Sequence, residues 1–140
     1  MSTNSTIAVQ HQDGTISAIY CHWDGYLAHN GALLIEYYNT LEQAESLVAL
    51  GDLSSLSPKL EPEGPHSFEN SEPNVCVFYG RDRGEDGVDT KHYSSLENYF
   101  IMNDSQEFNY LFIDNRWKLV SKKGKLQDVE RRLAKKEVMI

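Results

Sequence analysis

Ile7-Ala8-Val9-Gln10-His11-Gln12-Asp13-Gly14-Thr15-Ile16-Ser17-Ala18-Ile19-Tyr20-Cys21-His22-Trp23 reads as two strands joined by a tight turn. Asp13-Gly14 suits the positive backbone angles of a two-residue hairpin loop. Pairing outward from that turn puts Ile7, Val9, Ile16, Ala18 and Tyr20 on one face, which is expected to lie on the core. Phe108 to Ser121 repeats the pattern about Asp114-Asn115 and lines up Phe108, Tyr110, Phe112, Trp117 and Leu119. Asn74 to Tyr79 reads as a buried central strand. Two hairpins plus that strand predict one α+β domain on a mainly antiparallel sheet.

Helical signals lie between and after these strands. Gly31 to Tyr38 reads as a short helix, and Thr40-x-x-Gln43 as a capping box opening a second. In the second, Leu41, Ala44, Leu47 and Val48 form an apolar stripe, and Gly51 stands where a helix end favours glycine. Ser94-x-x-Glu97 is a further capping box, for a helix through about Met102. Lys125 to about Val138 carries Leu126, Val129, Leu133 and Val138 at helical spacing among basic residues. Residues 51 to 74, rich in Pro, Ser, Gly and Glu, predict a long loop, and Gly80 to Asp89 a charged glycine-rich one.

Charge is unevenly divided. Residues 116 to 140 hold nine basic and three acidic groups, a net +6. The preceding 115 residues hold four basic and eighteen acidic groups, a net −14. The chain therefore reads as an acidic α+β domain over 1–121 and a basic amphipathic helix over 122–140, docked on the same domain or facing a second subunit of a homodimer. An acidic body repels nucleic acid and anionic membrane and attracts basic proteins. No apolar run approaches the roughly 20 residues that span a bilayer, and Met1 to Thr6 lack the features of a secretory signal. A cytoplasmic setting with Cys21 and Cys76 as reduced thiols is expected.

Cys21-His22-Trp23-Asp24-Gly25-Tyr26 is the densest run of reactive and aromatic types. A thiol nucleophile or a metal site is conceivable there, but strand alternation sends Cys21 and His22 to opposite faces. No short-pair metal spacing is present and no cofactor is expected. The structural reading keeps His22 on the buried face and makes Asp24-Gly25 the exit turn. In Gly80-Arg81-Asp82-Arg83-Gly84-Glu85-Asp86-Gly87, the two arginines have the chemistry to grip an anion, yet the spacing matches neither a phosphate loop nor a calcium loop. Carboxylates spread over the central loops suggest contact with a basic partner, through Glu69, Glu72, Asp82, Glu85, Asp86 and Asp89.

Ile19 to Tyr26, Gly31 to Tyr38, Leu50-Gly51-Asp52-Leu53-Ser54-Ser55-Leu56 and Tyr79 to Glu85 together resemble a family of small proteins encoded by phages, prophages and mobile elements. The resemblance implies a cytoplasmic accessory role in the host and carries over no catalytic residue. The leading expectation is a non-enzymatic protein that inhibits a basic host protein, such as a defence nuclease or CRISPR effector. The first alternative is a binder or sponge for a nucleotide signal using Trp23, Tyr26, Arg81 and Arg83. The second is a small enzyme or metal protein using Cys21 or His22.

Overall fold

The first hairpin forms one residue out of the register that Asp13-Gly14 suggests. In the computed structural model, which describes residues 2–139, strands β1 (Ser5–Gln10) and β2 (Ile16–Cys21) pair with Ile7 opposite Ile19 and Val9 opposite Ser17. The loop is closed by His11 N–H donating to Thr15 O (2.8 Å) and Gly14 N–H donating to His11 O (3.0 Å). Gly14 alone in that loop has positive φ, +90°, as in a three-residue loop that ends in one left-handed residue. The Asp13 carboxylate accepts from the Thr15 N–H and hydroxyl instead. The slip turns every β2 side chain over. Ile7, Val9, Ile19 and Cys21 now share one core, while Ala8, Ile16 and Ala18 belong to a second. The sheet is covered on both faces, a correction to the single buried face expected.

The second hairpin forms as read. β6 (Phe108–Ile113) and β7 (Arg116–Val120) pair with Ile113 opposite Arg116. Asp114 and Asn115 take φ of +53° and +61°, the two-residue loop whose twist matches the strands. Tyr110, Phe112 and Trp117 are buried in the first core, with Phe108 and Leu119 packed against it.

Four short strands complete the sheet: β3 (Leu53–Ser55), β4 (Val77–Phe78), β5 (Lys91–Tyr93) and β8 (Leu126–Asp128). The order is β4-β3-β2-β1-β6-β7-β8, with β5 also pairing with β2. Five of the seven pairings are antiparallel; β1–β6 and β2–β3 are parallel. The centre is thus the parallel β1–β6 pair. Val77–Phe78, expected as a central strand, lies at the edge. It is buried because the loop before it folds over it, with Phe68 packed 5.7 Å from Tyr79.

A π-helical turn (Leu27–Gly31), α1 (Ala32–Tyr37), α2 (Leu41–Val48) and α5 (Val129–Met139) cover the first face through Leu27, Leu34, Ala44, Leu47, Val48 and Val129. The Thr40 hydroxyl caps α2, accepting from Gln43 N–H at 3.1 Å. α4 (Leu96–Met102) covers the second face through Tyr99. Its cap is Ser95, which accepts from Asn98 N–H at 3.0 Å, one residue after the expected Ser94. Tyr79–Arg83, expected as loop, is a single helical turn, α3, ended by Gly84 at φ +72°. The basic segment is not helical from its start. Ser121 to Lys125 form a loop with Gly124 at φ +77°, and β8 then pairs with the open edge of β7 before α5 begins. Val129 is buried and Leu133 packs beside it; the expected place of Val138 lies outside the described side chains. Among the described residues no helix is long and apolar enough to cross a membrane.

Candidate functional site

The segments singled out in the sequence meet at one corner. Tyr20 N–H donates to Asp52 Oδ1 (2.9 Å). His22 N–H donates to Leu53 O, Trp23 N–H to Ser54 O and Tyr79 N–H to Asp52 O. Asp24 takes φ +56°. A side chain at Gly25 would meet Ser5 Cβ at 2.7 Å and Thr3 O at 2.9 Å. The Gly25 carbonyl accepts from the Tyr110 hydroxyl at 2.6 Å. Asp24-Gly25 is therefore a tight exit turn pinned between β1 and β6.

Cys21 is fully buried, with the Asn30 amide 3.4 Å from its sulfur. Burial pushes its thiol up to about 12, so it is protonated and non-nucleophilic at neutral pH. Cys76, beside the Tyr38 hydroxyl and Ser57, is likewise raised by burial. Cys21, not His22, continues the buried face. His22 is half-buried, with Nδ1 2.8 Å from the Tyr20 hydroxyl and its ring edge-on to Trp23. Among the described residues no three His, Cys, Asp or Glu side chains gather as a metal site.

The charged loop divides into internal and surface residues. Arg81 donates to Leu60 O (2.7 Å), Cys76 O (3.0 Å) and both Asp82 oxygens, and stacks over Phe78. Asp82, expected on the partner surface, has a side chain only 4% exposed. It accepts from Phe78 N–H at 2.7 Å and lies 3.2 Å from His66 Nε2. Burial works to raise its carboxyl, but Arg81, the Phe78 N–H and His66 outweigh this and hold it below its ordinary value. Both residues stitch the long loop onto β4 and α3. Arg83 reaches outward over the Phe68 ring. Trp23 and Tyr26 are exposed, and among the described residues no hydrogen bond or cation–π contact joins them to Arg81 or Arg83.

What remains outside is acidic. Glu61, Glu63, Glu69, Glu85, Asp86 and Asp89 are exposed on two loops around the β4 edge. The loops are tied together through Phe68 N–H to Asp82 O (3.0 Å) and Asp52 N–H to Val88 O (2.9 Å). Glu61, Glu63 and Glu85 have a cation within 4 Å; among the described residues Glu69, Asp86 and Asp89 do not. Glu72, half-buried, accepts from the Glu63 and Gly64 N–H groups and shapes its own loop.

Two clefts went unnoticed in the sequence. One, of about 510 Å³, holds a polar relay: His11 Nδ1 lies 2.5 Å from Glu45 Oε2, and the Ser17 hydroxyl 2.7 Å from His11 Nε2 and 2.9 Å from His92 Nδ1. The order carboxylate, imidazole, hydroxyl suits acyl transfer. Ser17, however, is 4% exposed in mid-strand and shared between two imidazoles, so the relay is best read as a tie between α2 and the end of the sheet. The other cleft, of about 200 Å³, lies between β2, β5 and α4 and is lined by Thr6, Tyr20, Asp52, Lys91, Tyr93, Tyr99, Asn103 and Asp104. The Tyr99 hydroxyl and Asn103 Oδ1 are buried there without a hydrogen-bond partner. Neither cleft follows from local sequence, because its residues come from distant strands and a helix. Compared with protein-family models, curated proteins and solved structures, the chain matches none.

Proposed function

We propose that this chain works as a binding protein, a phage or mobile-element accessory whose acidic edge docks on the basic surface of a host protein and inhibits it. A nuclease of host defence, including a CRISPR effector, offers such a surface, and direct contact with nucleic acid is not part of this reading. The observation that carries it is the separation of charge across the sheet. The acidic loops surround β4, and the basic residues Arg116, Lys122, Lys123, Lys125, Arg131 and Arg132 stand around β7, β8 and α5 at the opposite edge. Six strand spacings separate these edges, roughly 29 Å at about 4.8 Å each. That is more than three Debye lengths at physiological salt, where one is about 8 Å. These six basic residues therefore leave the field of the acidic edge uncancelled. Such a field speeds encounter with a cationic surface and makes the contact salt-sensitive.

The test is capture from host lysate at low and high salt, followed by a one-to-one binding and nuclease assay with the purified captured protein. The expected result is inhibition that weakens with salt and with Glu85→Lys, Asp86→Lys and Asp89→Lys together. Binding indifferent to salt and to those reversals would sink the reading.

A further inference from the structure

The cleft between β2, β5 and α4 has the chemistry of a receptor. Tyr99 is completely buried, and its hydroxyl has no partner in good hydrogen-bond geometry, the Thr6 hydroxyl being its nearest polar neighbour. The neighbouring Thr6 hydroxyl donates its proton to Asn109 Oδ1 at 2.8 Å. The Asn103 amide nitrogen donates to Tyr99 O at 2.8 Å, and its Oδ1, on a residue that lines the same cleft, is buried without a partner. Native proteins pair nearly all such groups, so two orphans lining one cavity mark a place where a donor belongs. Asn103 Oδ1 can only accept, and the Tyr99 hydroxyl can accept as well as donate.

The remaining lining points the same way. Asp52 and Asp104 bring two carboxylates, and Lys91 one ammonium, whose Nζ lies 3.8 Å from Asp104 Oδ2. Burial, with Asp89 also contributing, raises the Asp52 carboxyl, although the Tyr20 N–H and Lys91 pull it down. Lys91 and Asp104 are 57% and 80% exposed, so their loose pairing is easily displaced. Tyr20, Tyr93 and Tyr99 supply aromatic walls, Tyr93 standing edge-on to Tyr99 at 5.5 Å. Aromatic faces beside carboxylates favour cations. A volume of about 200 Å³ admits one terminal group or a ring, little more than the roughly 150 Å³ that holds a benzene. A phosphate would face the two carboxylates.

We propose that this cleft is a socket for one organic cation, an alkylammonium or guanidinium group that donates to Tyr99, Asn103 and Asp52. The group is either a free amine or the tip of a lysine or arginine from a basic partner. The socket itself stands on the cavity alone; only the second source rests on the function proposed above.

The test uses the full chain with agmatine, putrescine and N-acetyl-arginine amide, followed by melting temperature and by amide chemical shifts of Tyr99 and Asn103. Saturable shifts are expected with agmatine, weakened about tenfold in Tyr99→Phe and in Asp104→Asn, a loss of about 1.4 kcal/mol. Tyr99→Phe keeps the ring and Asp104 is exposed, so both variants retain the fold. Shifts with N-acetyl-arginine amide as well assign the socket to a protein side chain; shifts with the free amines alone assign it to a metabolite-sized cation. Absence of any shift, the same shift from sodium chloride at equal ionic strength, or equal affinity in both variants overturns the proposal. Failure of the acidic-edge reading shows separately, as partner capture indifferent to reversal of Glu85 and Asp86, which do not line the cleft.

Discussion

Replacing Tyr99 by Phe removes one oxygen from the middle of the second core. The ring is fully buried and packs against Tyr93 and Phe100, contacts that phenylalanine keeps. The hydroxyl has no partner. A buried polar group without a hydrogen bond costs about 1–3 kcal/mol, whereas an apolar group of the same shape escapes that cost. The cavity beside it lowers the penalty toward the small end, so a stabilisation of about 1 kcal/mol is expected. At about 2.1 cal/mol/K per residue, the unfolding entropy of this 140-residue chain is about 0.29 kcal/mol/K, and the melting temperature should rise about 3 °C. Urea unfolding should show a higher midpoint with an unchanged slope. A loss of about 1 kcal/mol or more would mean that the hydroxyl is bonded in solution, with Thr6 as its nearest candidate. The donor-shaped vacancy on which the socket rests would then not exist.

Arg81→Met should destabilise the protein by about 3 kcal/mol in urea unfolding, since it orphans two carbonyls and the buried Asp82 carboxylate. Arg81→Lys should recover little, because a point charge cannot serve that many acceptors; full rescue would contradict the geometry. The depressed Asp82 carboxyl contributes stability above the unfolded carboxyl value of about 3.9 and loses it as pH falls through the lower folded value. Asp82→Asn should therefore flatten the acid limb of stability against pH, and an unchanged limb would exclude Asp82 as its source. With Cys21 held up to about 12 and Cys76 also raised, a thiol reagent at neutral pH should label neither in the native state and both in urea; rapid native labelling of Cys21 would reopen a reactive role. Deleting Gln12 leaves Asp13-Gly14 as a two-residue loop between His11 and Thr15, already a closing pair. Stability should change by no more than about 1 kcal/mol, within the ordinary range of surface changes, with contacts between Val9 and Ser17 kept; a shifted register would show that the loop, not the core, sets it.

The sequence was most legible where local chemistry and burial agree. Asp114-Asn115 forms the loop that its residue types favour, and the aromatic face it predicts is the face buried. Thr40 caps α2 for the same reason. Reading failed where a residue had two local uses. Asp13-Gly14 fits a two-residue turn, but Gly14 serves as the left-handed third residue of a longer loop. Gly124 repeats that role between Ser121 and Lys125, so a periodicity read as helix begins with a strand. Asp82 and Arg81 looked like surface charges, since a short segment gives no sign that a distant loop will close over them. The Ser17 relay and the Tyr99 cleft depend on β5, whose three residues Lys91–Tyr93 carry no strand signal before β2 offers them an edge.

The register of the first hairpin links these failures to the proposed socket. In the two-residue register Ile16, Ala18 and Tyr20 would face α2, and Ser17, Ile19 and Cys21 would face α4. The observed slip sends Ile19 and Cys21 into the larger core, where both are buried, and leaves Tyr20 at the rim of the smaller one. Ile19 and Cys21 need no polar partner to be buried, whereas Tyr20 does and finds His22 at the surface. One loop residue therefore keeps the Tyr20 phenol out of the larger core. The smaller core, which already holds Ala8, receives Ala18, another short side chain, beside Tyr99. Ala18 lines the cleft, which is framed by Tyr20, Tyr93 and the end of α4. A larger residue at position 18 would fill it, so Ala18→Val should close the socket to agmatine while the acidic edge, built from other loops, keeps its salt-dependent binding.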